Sequence, residues 1–173
     1  MRHLNIEIKA RCDDLDAIRT VLQAEDADFI GEDRQVDTYF RVPDGRLKLR
    51  EGTIERSLIH YERPDQEGPK PSDVTRYEPD APAGLKDVLT AALGVWVVVA
   101  KRREIYFIDN VKIHLDRVDG LGTFVEIEAI GRDASADPAA LRAQCETYMD
   151  RFQLTADALV ADSYSDLLHR RQV

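Results

Sequence analysis

Thr123-Phe124-Val125-Glu126-Ile127-Glu128-Ala129-Ile130 alternates apolar and acidic residues with a period of two, which reads as a β-strand with unlike faces. Val125, Ile127 and Ala129 fall on one face, Glu126 and Glu128 on the other. Carboxylates two residues apart on a strand lie roughly 7 Å apart. At an effective dielectric of about 20 their repulsion is on the order of 2 kcal/mol. Water and salt absorb that on an exposed strand. A strand lining an enclosed space needs a cation there instead, either a metal ion or a Lys or Arg side chain.

The rest of the chain supplies such cations. Its 173 residues fit one domain, spanning 1–173, with enough length for a real core. Apolar residues make up 43% and charged residues 33%, a soluble composition with an unusually charged surface or interior. A formal charge of −9 argues against a nucleic-acid binder working through a general phosphate attraction, though not against a local basic pocket for a small anion. The longest apolar run, Val95 to Ala100, is too short to cross a bilayer, and Met1 to Asn5 lacks the apolar core of a signal peptide. Cys12 and Cys145 have no metal-ligand spacing and read as small buried residues of a reducing cytoplasm. These features imply a cytoplasmic protein with no membrane partner.

Ile6, Ile8 and Ala10 alternate with Glu7, Lys9 and Arg11, giving a first strand. Asp13 or Asp14 caps a helix with Leu15, Ile18, Val21 and Leu22 on one stripe. Gln35 to Arg41 and Arg46 to Glu51 form a hairpin around Pro43-Asp44-Gly45, with Arg46, Lys48 and Arg50 sharing one face. Leu58 to Arg63 is a strand leading into a loop, Pro64 to Pro71, that contains Lys70 and is long enough to be a lid or rim. Val74 to Glu78 is a further short strand. Leu85 to Leu93 is a short helix stopped by Gly94, and Trp96 to Phe107 forms one or two strands. Val111, Ile113 and Leu115 alternate with Lys112, His114 and Asp116 before Asp119-Gly120 turns the chain into the opening stretch. Asp137-Pro138 starts a helix to about Phe152, and Ala156 to Arg170 reads as a last helix.

About eight strands result, several with one apolar and one ionic face. The acids on those faces are Glu7, Asp116, Glu126 and Glu128; the bases are Lys9, Lys48, Arg50, Arg63, Lys101 and Arg103. Two architectures satisfy the pattern: an open sheet with a salt-laced solvent face, or a closed barrel with an ionic interior and an apolar exterior covered by helices. Many bases beside a tight carboxylate cluster suit a polyanion held together with a divalent metal. Hard oxygen donors select Mg²⁺ or Mn²⁺, and Arg grips phosphate bidentately.

Ile6-Glu7-Ile8-Lys9 resembles the ExExK signature of the CYTH domain family, the triphosphate tunnel metalloenzymes. Gln35 to Phe40, Gly45 to Arg50 and Ile59 to Arg63 are similar to its class IV adenylyl cyclase branch. So are Lys101-Arg102-Arg103, His114-Leu115-Asp116, Leu121 to Glu128 and Ser163 to Leu168. The resemblance implies an α+β fold: a closed antiparallel β-barrel of about eight strands forming a charged tunnel, with helices packed outside. It implies Mg²⁺ or Mn²⁺ on Glu7, Glu126 and Glu128, and a triphosphate path lined by Lys9, Lys48, Arg50, Arg63, Lys70, Lys101 and Arg103. It places Asp116 near the metal or the reacting phosphate, and leaves Lys9 as either a catalytic base or a phosphate clamp. A homodimer is also implied.

The activity implied is an adenylyl cyclase-like lyase converting ATP to cyclic AMP and pyrophosphate. The alternatives are a hydrolase of tripolyphosphate or thiamine triphosphate, and a non-catalytic binder of triphosphate or polyphosphate. The first glutamate of the signature is Asn5 here. That removes one negative charge from the metal site and bears directly on whether a second metal is held.

Overall fold

The computed structural model describes residues 2–62, 68–80, 82–131 and 136–172. Eight strands, β1 (Arg2–Arg11), β2 (Asp28–Phe40), β3 (Arg46–Glu51), β4 (Arg56–Glu62), β5 (Lys70–Tyr77), β6 (Val95–Ile108), β7 (Val111–Val118) and β8 (Gly122–Ile130), close into one antiparallel barrel. The order around it is β1-β5-β4-β3-β2-β6-β7-β8. Closure rests on β1, which pairs β5 on one edge and β8 on the other. With no free edge, each strand has one face in the tunnel and one outside.

The apolar face of the opening stretch points outward, under helices. Ile6, Ile8, Ile113, Leu115, Val125 and Ile127 are each 2% exposed or less and pack with residues of α1 (Leu15–Ala24) and α3 (Pro138–Arg151). Leu15, Ile18 and Leu22 come from α1; Leu141, Cys145 and Tyr148 come from α3. Asp14 caps α1 by accepting from the Ala17 amide at 3.0 Å, and Asp137 caps α3 through Ala139 at 2.9 Å. The barrel alternative is therefore the correct one, and the helices cover the outside of its wall. Among the described residues no helix is long and apolar enough to cross a membrane.

Three expectations are corrected. β2 begins at Asp28, seven residues before Gln35, and a register shift between Phe29 and Gly31 interrupts its pairing with β6. β5 begins at Lys70 rather than Val74, so Lys70 and Pro71 are strand, not loop. Pro71 lies opposite Ile6 of β1, and among the described residues β4 pairs β5 only as far as Asp73. The stretch from Ala156 is not one helix. A 3-10 turn (Ala156–Ala158) leads into extended chain, where Leu159 bridges Ala10 and the Val160 amide donates to Lys9 O at 2.9 Å. The helix starts only at α4 (Tyr164–Gln172), where Ser163 Oγ accepts from the Asp166 amide at 3.1 Å and donates to its carboxylate at 2.6 Å. A remaining helix, α2 (Pro82–Leu93), ends as expected at Gly94, whose left-handed φ of 74° suits glycine.

Candidate functional site: an ionic tunnel

The polar strand faces meet inside the barrel around about 820 Å³ of space, part of it open to solvent. Register sets the neighbours. Lys112 of β7, Glu128 of β8, Glu7 of β1 and Lys70 of β5 lie side by side, and His114, Glu126 and Lys9 form the next row. Paired residues of an antiparallel ladder share a face, so each row projects into the tunnel.

Asp37 organises one wall. Its carboxylate accepts from Arg50 at 2.9 Å through both Nε and Nη2, from Lys101 at 2.8 Å and from Lys48 at 3.1 Å. Burial alone would raise its pKa, but Arg50, Lys101 and Lys48 outweigh that and hold it well below the carboxylate range. The same crowding acts on Lys101 in the opposite sense. Burial pushes its ammonium down to about 7, against the pull of Asp37 and with the push of Arg50, Arg103 and Lys48.

Glu126 organises the other wall. Arg103 reaches it at 2.7 Å, Lys9 at 3.3 Å and His114 Nδ1 at 3.3 Å. Burial opposes its ionisation, and Arg103 and Lys9 overcome that. Arg103 also forks onto Asp116 at 2.7 and 2.5 Å, and Asp116 accepts from the Tyr164 hydroxyl at 2.7 Å. Burial and Arg103 push His114 down to about 4, so its ring is neutral at pH 7. With Glu126 ionised, Nδ1 carries the proton that faces it.

A third group gathers where the β3–β4 turn folds inward. Glu55 accepts from Arg50 at 3.0 Å and from Lys112. The turn is held by Asp33, which is fully buried and accepts from the Ile54 and Glu55 amides at 2.9 and 3.0 Å and from Thr53 Oγ1 at 3.0 Å. Gly52 makes this possible, because a Cβ there would lie 2.5 Å from Glu55 O and 2.7 Å from both Asp33 carboxylate oxygens. Gly52→Ala is accordingly expected to cost about 1–3 kcal/mol, as overpacking does. A urea unfolding midpoint unchanged from wild type would show that the turn accommodates the methyl.

The carboxylates expected to hold metal are near neighbours. Glu7 faces Glu128 in register, and Asn5 Nδ2 donates to Glu128 Oε1. Burial, together with Glu7, Glu126 and Glu55, raises Glu128 above the usual range, with Lys112 opposing. Asn5 Oδ1 is buried with no hydrogen-bond partner. A carbonyl and two carboxylates are hard donors, so these residues fit a hard divalent cation. Among the described residues, however, no three His, Cys, Asp or Glu side chains are already gathered as a ligand set.

Of the residues expected along the phosphate path, Lys9, Lys48, Arg50, Lys101 and Arg103 all line the cavity. Lys70 does not act from a rim loop: it is 1% exposed in β5, with Nζ donating to Ala161 O at 2.5 Å. Asp116, expected near the metal or the reacting phosphate, is fully buried behind Arg103 and Tyr164. Arg63 lies outside the described residues. Sequence reasoning missed Asp37, Glu55 and Tyr164, and gave Lys112 no role.

The comparisons with known proteins agree with this geometry. The CYTH domain family matches residues 3–155. Adenylate cyclase CyaB of Aeromonas hydrophila is 28% identical over 172 residues, covering 94% of this chain and 87% of that one. Among solved structures, the PH1012 protein of Pyrococcus horikoshii OT3 superposes with a TM-score of 0.82 at 26% identity, covering 94% of this chain and 98% of its own. HpAC1 of Hippeastrum, for which a dominant triphosphatase activity is described, has a TM-score of 0.62 at 16% identity, with 97% and 96% covered. The match across most of the chain and the shared closed barrel lead to one conclusion: the chain belongs to the CYTH domain family.

Proposed function

We propose that this protein is a divalent-metal-dependent enzyme acting on a triphosphate-bearing substrate, and that the substrate is ATP, cyclised to cyclic AMP and pyrophosphate. The observation that carries the reading is the pair of cation clusters that adjoin through β6: Lys48, Arg50 and Lys101 converge on Asp37, while Lys9 and Arg103 converge on Glu126. These cations are already desolvated and oriented, so a triphosphate entering between them takes over the role of counterion from two carboxylates. Little reorganisation is then left for the transition state, where charge builds on the departing pyrophosphate. The apolar sector Tyr39, Ile59, Tyr61 and Val74 lines the same cavity and supports a nucleoside at one end of the phosphates. Similarity to CyaB supports the cyclase reaction.

Glu7 and Glu128, with the Asn5 carbonyl, would hold Mg²⁺ or Mn²⁺, and Glu126 could join them by exchanging its contacts with Lys9 and Arg103. A bound divalent ion would neutralise phosphate oxygens and polarise the reacting phosphorus. The chain's own share is alignment: the guanidiniums of Arg50 and Arg103 and the ammoniums of Lys48 and Lys101 fix the phosphates so that the ribose 3′-oxygen reaches the α-phosphorus. Lys9, held by Glu126, the Asp162 carbonyl at 3.3 Å and the Tyr164 ring at 4.0 Å, serves as a clamp in this reading.

Purified protein incubated with Mn²⁺ and ATP, and separately with tripolyphosphate, tests the proposal. Cyclic AMP formation is the expected result. Orthophosphate release without cyclic AMP would replace the cyclase by a hydrolase, and binding without turnover would leave a binder. Glu128→Gln is expected to lower the metal-dependent rate by about 10–100-fold, the range seen when a metal site loses a supporting contact. An unchanged rate would remove Glu128 from the metal's surroundings.

A further inference from the structure

We infer that Lys112 is a tethered cation standing where a second divalent ion would otherwise bind, so that the tunnel takes one divalent ion and not two. The inference rests on the metal reading above and concerns two residues that it does not use, Lys112 and Glu55.

Four carboxylates line the same cavity: Glu7 faces Glu128 in register, Glu126 lies two residues before Glu128 on the same strand face, and Glu55 enters from the β3–β4 turn. Such a group needs cations. Glu126 has Arg103 and Lys9. Glu55 has Arg50 at 3.0 Å and the Lys112 ammonium. Lys112 stands opposite Glu128 in the β7–β8 ladder and donates to Glu55, so one ammonium is placed between carboxylates from two parts of the chain.

This placement is built. Lys112 is 8% exposed, its ammonium lies 5.6 Å from the centre of the Phe107 ring, and Glu55 is delivered to it by a turn that Asp33 and Gly52 fix in place. A buried ammonium needs such preparation, because moving it from water costs several kcal/mol unless carboxylates receive it. The same receptor of half-buried carboxylates, Glu55 and Glu128, would suit a hard dication. Where the first strand has Asn5 in place of an acid, the charge available on the Glu128 side is smaller still. The Asn5 Oδ1 atom, buried without a partner, marks where the one divalent ion sits, on the far side of Glu128 from Lys112.

The consequence concerns stoichiometry and is readable without turnover. Titrating the folded protein with Mn²⁺ alone, and counting free ion by electron paramagnetic resonance, should show one ion per wild-type chain. Lys112→Gln should bind a second. Lys112→Arg, which keeps a cation, should stay at one, and the double variant Lys112→Gln with Glu55→Gln should return to one. Two ions on the wild type would overturn the inference. So would a Lys112→Gln protein, folded by circular dichroism, that still binds one. A purely structural salt bridge would leave the count unchanged. Should Lys112→Gln fail to fold, the wild-type count and the Lys112→Arg count still decide, since a second ion on either sinks the inference. The two readings fail separately: no Mn²⁺ on any form removes the metal site itself, whereas one ion on every form removes only the role of Lys112.

Discussion

Asp37→Asn is expected to destabilise the barrel by about 3–5 kcal/mol, the cost of removing one partner from a buried charge group. For a chain of this size that corresponds to a fall in Tm of roughly 6–20 °C. The substitution keeps the side chain's shape but strands Arg50, Lys48 and Lys101, two of which are less than 8% exposed and all of which converge on this carboxylate. An amide would also turn an N–H toward donors. The loss should be larger at pH 6 than at pH 8, because Lys101, held at about 7, can shed its proton at the higher pH. If Asp37 is the counterion that a triphosphate replaces, saturating tripolyphosphate should raise the Tm of the variant by more than it raises that of wild type. Equal ligand-induced shifts would mean that phosphate does not approach this wall. A Tm within about 2 °C of wild type would mean that water already shares the charge.

The ease with which sequence revealed the strands, and the difficulty it had with Asp37, have the same origin. A period of two in β1, β3, β7 and β8 separates apolar from ionic residues cleanly, because one face meets helices and the other meets charge. That pattern cannot report closure. A salt-laced open sheet has the same alternation, and the decisive pairing joins β1 to β5 and β8, segments roughly 65 and 120 residues away. Only the ordered set of family motifs distinguished the two. In β2 the alternation is blurred: Asp33, Gln35 and Asp37 face in, but the intervening Arg34 is charged and Val36 is an exposed apolar residue on the outer face. Asp37 therefore carried no sign of its position.

Glu55 was invisible for a different reason. It lies on a turn, outside any strand period, and is held inward by a hydrogen bond from its backbone amide to a carboxylate 22 residues earlier. Gly52 was the available clue, since a glycine in Glu51-Gly52-Thr53-Ile54-Glu55 can signal close approach of the backbone to another group. Ser163 and Asp166 were a second missed signal. A hydroxyl residue followed three later by an acid marks a helix start, and reading it would have kept the last helix from being drawn back to Ala156.

Triphosphate binding at pH 8 is expected to draw in protons through Lys101. In the empty tunnel this lysine faces Asp37 and is crowded by Arg50, Arg103 and Lys48, and burial sets its pKa at about 7. In the unfolded chain a lysine titrates near 10.4. Between those values the unfolded chain binds more protons than the folded one, so this group's contribution to stability rises as pH increases from about 7 to 10. The charged form is the costly one in the empty barrel. A polyanion reverses the balance by supplying the counter-charge, so the pKa rises on binding and the lysine takes up a proton. From a pKa of about 7, the protonated fraction falls about fivefold between pH 7 and 8, and the apparent Kd for tripolyphosphate should weaken by about that factor. Lys101→Arg stays charged throughout and is the control. Calorimetry at pH 8 in buffers of different ionisation enthalpy should show wild type taking up roughly 0.5–1 proton more than Lys101→Arg, a difference that cancels the titration of tripolyphosphate itself. Equal uptake would mean either that Lys101 is already charged in the empty tunnel or that phosphate never reaches it. The Tm of Asp37→Asn with and without tripolyphosphate separates these two cases, because it reports contact with the same wall without depending on a proton.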